Sequence, residues 1–120
     1  MKVMITAHHG AWDAPVDGRF GRARTFVLVD TVSRELTVVP NTQALDAVQG
    51  AGVQAAALVG RAGAEAVITG HCGPKAFAAL TAGGVKVFTG AQGTVADAVA
   101  SLEAGSLQQT DRADVAGHWV

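Results

Sequence analysis

The sequence predicts a single α/β domain built on a mixed five-stranded sheet, and three observations carry that prediction. Two short apolar-rich segments, residues 25–30 and 35–39, flank the polar turn Thr31-Val-Ser-Arg34 and read as an antiparallel hairpin. Beyond it, stretches with helical spacing alternate with short apolar runs, the pattern of strands covered on both faces by helices. The chain has 120 residues, 49% of them hydrophobic, which is enough to bury a core without staples.

Residues 2–7 form the first strand, and the hairpin supplies the second (25–30) and third (35–39). Residues 47–61 place Val48, Ala51, Ala55, Leu58 and Val59 at helical spacing, although Gly50 and Gly52 weaken the amino-terminal half of that helix. Residues 66–69 read as a buried parallel strand. A second helix, 74–82, opens on Pro74 and stops at Gly83-Gly84. Proline suits the first helical position because its missing N–H costs nothing there, and glycine suits the carboxyl cap. Residues 85–88 make the fifth strand and 94–103 the last helix, with Thr94 as its N-cap.

The order is thus β-β-β-α-β-α-β-α. A hairpin followed by right-handed crossovers puts the first strand in the middle and gives the strand order 3-2-1-4-5, with the second strand antiparallel and helices on both faces. The first and fourth strands are then neighbours whose following segments leave to different sides. Crevices of that kind are where open α/β sheets bind ligands. Two segments empty into it: residues 8–23 and residues 70–75. The domain spans 1–104, and 105–120 form a polar, loosely held tail. His118 is incidental in that tail, whereas Trp119 is a candidate for docking on the body or on a partner.

Both segments carry chemistry. A 16-residue connection is long for a compact domain, and this one holds His8, His9, Trp12, Arg19, Phe20, Gly21 and Arg22. Trp12 and Phe20 are costly to leave in water. Glycines beside Phe20 let backbone N–H groups and the guanidinium forks of Arg19 and Arg22 face one ligand. The second segment reads Gly70-His71-Cys72-Gly73-Pro74-Lys75. The free N–H groups and positive dipole end of the helix it opens suit an anion. Lys75 is poorly placed for that dipole unless an anion compensates it. A lone Cys is most often a small buried hydrophobe, but at a strand–helix junction Cys72 is also a candidate soft contact. His71, His8 and His9 offer borderline nitrogen donors, with the reservation that adjacent residues at a strand end point to opposite sides. The expected ligand-binding set is Arg19, Phe20, Gly21, Arg22, Gly70, His71, Cys72, Gly73, Pro74 and Lys75. Cys72, His71, His8 and His9 are its candidate metal contacts.

The run Phe20-Gly21-Arg22-Ala23, a strand ending in Asp30, Val67-Ile-Thr-Gly70 with Gly73-Pro-Lys-Ala76, and Gly84-Val-Lys-Val occur in matching order in a known family. Over residues 1 to 104 the chain resembles the dinitrogenase iron-molybdenum cofactor biosynthesis family, the NifX-like proteins and the carboxyl-terminal domain of NifB. That resemblance implies an RNase H-like α/β fold and binding of a preformed, anionic metal-sulfur cluster. For a small free-standing domain it implies a molybdenum-copper sulfide, with an iron-molybdenum type as the alternative. The partners it implies are the cluster and its donor and acceptor proteins. Members often carry His just before the Phe-Gly pair. Arg19 stands there in this chain, so the resemblance transfers an ionic or hydrogen-bonding contact in place of an imidazole ligand.

The remaining features narrow the function. A formal charge of −1 supplies no basic field for nucleic acid. No apolar run reaches 18 residues and the first residues read as a strand, so the expectation is a cytoplasmic monomer with no membrane association. One cysteine excludes an internal disulfide and a Cys-only zinc site. The acids Asp13, Asp17, Asp30, Glu35, Asp46, Glu65, Asp97 and Glu103 are dispersed, unlike the clustered carboxylates of two-metal nucleases. Gly90-Ala-Gln-Gly93 is a turn, not a phosphate loop. The expectation is a non-enzymatic carrier. The competing readings are a regulatory module using Trp12, Trp119 and a small anion, and a thiol-dependent enzyme using Cys72.

Overall fold

The computed structural model describes residues 1–41 and 50–111. Five strands and three helices follow the expected order: β1 (Lys2–Ala7), β2 (Thr25–Asp30), β3 (Leu36–Pro40), α1 (Ala51–Arg61), β4 (Ala66–Ile68), α2 (Pro74–Ala82), β5 (Lys86–Phe88) and α3 (Val95–Glu103). The sheet order is β3-β2-β1-β4-β5. β1 pairs antiparallel with β2 (Ile5 opposite Val27) and parallel with β4 (Ile5 opposite Ile68).

Period-two alternation divides the interior into two cores. Met4, Phe26, Val67 and Val87 face α1 and α2, joining Ala55, Val59, Ala76 and Leu80. Val3, Ile5, Val27, Val29, Ala66 and Ile68 face α3, joining Val95, Ala98 and Val99. Successive side chains on a strand point to opposite faces, so these short strands feed both layers at once.

Some boundaries differ from expectation for local reasons. The first helix begins at Ala51 because Gly50, at φ 78°, is in the left-handed region that ends a helical run. The expected helical positions 47–49 lie outside the described residues. Arg34 also adopts a positive φ, 65°, in the hairpin turn, and the third strand starts one residue late, at Leu36. The described start of the polar tail is docked. Gln109 bridges Phe88, the Thr110 N–H donates to the Val87 carbonyl at 2.7 Å, and the Thr110 and Thr89 hydroxyls are 2.7 Å apart. Leu107 packs on the α3-side core. This segment pairs with the otherwise bare edge of β5, the usual protection of an edge strand. His118 and Trp119 lie outside the described residues.

Candidate functional site

The long loop wraps around the carboxyl end of the sheet and serves both cores. Its first half belongs to the α3 side, where Ala14 is buried and Ala11, Trp12 and Val16 pack against that core. The Trp12 and Ala14 carbonyls accept the Ala96 and Val95 N–H groups, each at 2.9 Å. Trp12 is half-buried, and the Arg34 guanidinium carbon lies 5.4 Å from its ring centroid. Arg34 also pairs with Glu103 at 3.0 Å.

At Asp17 the loop crosses the strand ends. The Asp17 N–H donates to the Thr6 carbonyl at 2.9 Å, and the Thr6 hydroxyl donates to the Asp17 carbonyl at 2.7 Å. The Asp17 carboxylate, only 4% exposed, accepts the Arg19 N–H through Oδ1 at 3.1 Å. The next residues pair with the turn after β4. The His71 N–H donates to the Gly18 carbonyl at 2.7 Å, and the Phe20 N–H donates to the His71 carbonyl at 3.2 Å. Arg19 and His71 thereby form a parallel bridge.

Phe20 then drops into the α1/α2 core, fully buried, its ring centroid 5.6 Å from that of Phe26. Burying such a ring contributes about 1.5–3 kcal/mol and anchors the loop. Gly21 lies against the first turn of α1, where an added Cβ would come within 2.7 Å of the Gly52 nitrogen. Gly52 in turn abuts Ala76 in the first turn of α2. Asn41 holds the outgoing chain, its Nδ2 donating to the carbonyls of Gly21 (3.2 Å) and Ala23 (2.8 Å).

The loop, the start of α1 and the start of α2 therefore meet in one place. The two expected half-sites are joined edge to edge by backbone pairing and present a common outer surface, not facing walls of an open crevice. Arg19, His71, Pro74 and Lys75 are exposed there and Arg22 is half-buried; Gly21, Gly70 and Gly73 are buried. His8 and His9, at the end of β1, are exposed. Phe20 and Cys72 lie beneath this surface with no exposed area, and the Cys72 Sγ contacts the Gly73 carbonyl at 3.7 Å. As placed, neither side chain offers surface to a ligand.

The helix starts differ in their capping. In α3 the Thr94 hydroxyl accepts the Asp97 N–H and the Asp97 carboxylate accepts the Thr94 N–H, a complete capping box. Neither α1 nor α2 has a side-chain cap or an acidic residue in its first turn, and their N-caps are Gly50 and Gly73. Among the described residues, no three His, Cys, Asp or Glu side chains gather as a metal-ion site. A shallow depression lined by Lys2, Leu28, Asp30, Glu35 and Thr37 lies at the opposite, amino end of β1, away from these groups.

The supporting polar residues Thr6, Thr69 and Asn41 are absent from the sequence-based set. Thr6 and Thr69 did leave a signal, as polar positions near the carboxyl ends of otherwise apolar strands. Asn41 left none.

The profile of the dinitrogenase iron-molybdenum cofactor family matches residues 1–105. The apo form of the orange protein from Desulfovibrio gigas is similar at 36% identity, with 95% of this chain and 96% of that chain covered and a TM-score of 0.93. A Thermotoga protein provisionally described as NifB, of the DUF35 family, is similar at 32% identity, with 95% and 98% covered and a TM-score of 0.80. A Methanocaldococcus jannaschii protein at 12% identity, with 93% and 96% covered and a TM-score of 0.70, shares the fold. Among curated proteins, none matches this chain.

Proposed function

Because the chain belongs to the dinitrogenase iron-molybdenum cofactor family, we propose that it is a non-catalytic carrier whose cargo is a preformed, anionic metal-sulfur cluster. The observation that carries this reading is the meeting of two helix amino termini, both without a side-chain cap or first-turn acid, at Gly52, with Gly21 of the loop packed against it. Helix amino termini carry partial positive charge and unsatisfied N–H groups. Arg19, Arg22 and Lys75 add full charges beside them, in a chain whose net charge is −1. An anion resting on residues 19–22 and 71–75 offsets all of these together.

The donor set suits a preformed cluster better than a bare ion. The thiol is buried and the imidazoles of His8, His9 and His71 stand outside any three-donor group among the described residues. A cluster that brings its own sulfides needs charge neutralisation and N–H donors, with an imidazole as an optional borderline ligand. Within the family resemblance a molybdenum-copper sulfide is the proposed cargo, and an iron-molybdenum type the alternative. Cluster donor and acceptor proteins are the proposed partners. A nucleophilic role for Cys72 fares worse, because a buried thiol gives a substrate no access.

The test is reconstitution. Apo-protein mixed with tetrathiomolybdate and copper, then desalted, is expected to retain colour and both metals in fixed ratio. A protein that stays colourless with molybdenum, copper and iron sulfide mixtures alike would overturn the carrier reading.

A further inference from the structure

Beneath the proposed cargo surface, three buried polar residues form a chain that no ligand contact explains. Thr6 is 1% exposed, Thr69 is fully buried and Asp17 is 4% exposed. The Thr6 Oγ1 lies 2.7 Å from the Asp17 carbonyl oxygen and 2.8 Å from the Thr69 Oγ1. Thr6 is the donor in both bonds: its hydroxyl proton is shared between the Asp17 carbonyl and the Thr69 hydroxyl, which accept. Both contacts thus depend on Thr6.

Its place in the fold matters more than its strength. Thr69 immediately precedes Gly70-His71, and Asp17 immediately precedes Gly18-Arg19. The two hydroxyls tie together the roots of the two segments whose tips pair as Arg19 with His71. Gly18 and Gly70 pack backbone to backbone just above, where a Cβ on Gly70 would come within 2.6 Å of the Gly18 Cα. Buried hydroxyls are retained where they are satisfied and become costly when one partner is removed.

We infer that Thr6 and Thr69 are positioning residues, which set the register of the 17–22 loop against the 70–75 turn and so assemble the surface proposed above to hold the cluster. The ligand arm of this inference rests on that reading; the structural arm does not.

The shared donor makes the two positions unequal. Thr6→Val removes both hydroxyl bonds, whereas Thr69→Val leaves the bond from Thr6 to Asp17 intact. In apo-protein, hydrogen exchange at the His71 and Phe20 amides is expected to accelerate about tenfold or more in Thr6→Val. The increase is a few-fold in Thr69→Val, and central sheet amides such as Ile5 stay unchanged. Thr6→Ser, which keeps the hydroxyl and loses the methyl, is expected to restore slow exchange at both amides. Retention of tetrathiomolybdate and copper should follow the same order: wild type and Thr6→Ser, then Thr69→Val, then Thr6→Val. If Thr6→Val and Thr69→Val exchange alike, or Thr6→Ser fails where Thr6→Val succeeds, the inference is overturned and packing is what matters. If wild type holds no metal while the exchange order stands, the carrier reading falls and the positioning role survives.

Discussion

Arg19 and His71 stand opposite each other as a single parallel bridge, closed by His71 N–H to Gly18 O at 2.7 Å and Phe20 N–H to His71 O at 3.2 Å. This bridge joins two separate connections, one after β1 and one after β4, into one backbone-paired platform. The His71 and Phe20 N–H groups are used in this pairing, and the Arg19, His71 and Lys75 side chains are exposed on the same platform. A cation-bearing platform over two helix starts favours a ligand that is multiply charged and accepts hydrogen bonds from several directions.

Replacing Arg19 or Arg22 by Ala should weaken cluster retention by about 1–3 kcal/mol each without abolishing it, since several donors share the charge. Titrating apo-protein with tetrathiomolybdate and copper at increasing salt measures the loss. Removing a charged contact should also flatten the salt dependence. Normal retention in both variants would defeat the electrostatic account.

Gly21 and Gly70 should tolerate no side chain. An added Cβ would meet the Gly52 nitrogen at 2.7 Å in the first case and the Gly18 Cα at 2.6 Å in the second, backbone that has no rotamer with which to yield. Gly21→Ala and Gly70→Ala are expected to lower unfolding free energy by about 1–3 kcal/mol in urea melts. Gly18→Ala, with nothing within 4 Å of its Cβ position, is the control and should melt within about 0.5 kcal/mol of wild type.

These glycines show how unevenly the fold and the site are written in the sequence. The strand order follows from local signals, a polar turn between two apolar strands and Pro74 and Gly83 bracketing a helix, each acting over a few residues. The residues of the platform were legible too, because charged groups and glycines in a long loop are conspicuous. What was illegible is long-range. Nothing local shows that Gly21 touches Gly52, that Asn41 secures the Gly21 carbonyl, or that Phe20 is buried in the α1/α2 core. Thr110 gives the same lesson: a polar tail looks unattached until the bare edge of β5 is placed beside it.

Two carboxylates among the described residues contribute to the acid limb of stability. Asp97 is held below its ordinary value of 3.8 by the Thr94 backbone N–H and then by the Thr94 hydroxyl; Asp30 is held below it by the backbone N–H groups of Val32 and Ser33. The folded chain therefore releases these protons at lower pH than the unfolded chain does. Their stabilisation is complete above the ordinary carboxylate pKa and is lost as pH falls through the folded values, below 3.8. Thermal melts from pH 6 down to pH 2 should show that loss, and Asp97→Asn should reduce its size. The variant Thr94→Ala should cost about 1 kcal/mol at neutral pH by removing the N-cap. An unchanged acid limb in Asp97→Asn would remove the capping box as its source.

Cys72 gives the sharpest division between contact and support. Its thiol has no exposed area and sits in the core shared by Phe20, Ala76 and Leu80, directly below the platform. A thiolate ligand would have to leave that core, turning over the first residues of the turn and disturbing the His71 bridge to Gly18. Native protein should therefore react slowly with a thiol reagent such as Ellman's, at a rate set by local opening, and quickly in urea. Cys72→Ala should retain the cluster as wild type does while losing about 1 kcal/mol of stability to the small cavity. Cys72→Ser should lose more, since it puts a hydroxyl in an apolar core. Loss of cluster in Cys72→Ala at normal stability would show instead that the thiolate swings out to bind, making the buried position a resting arrangement of a true ligand.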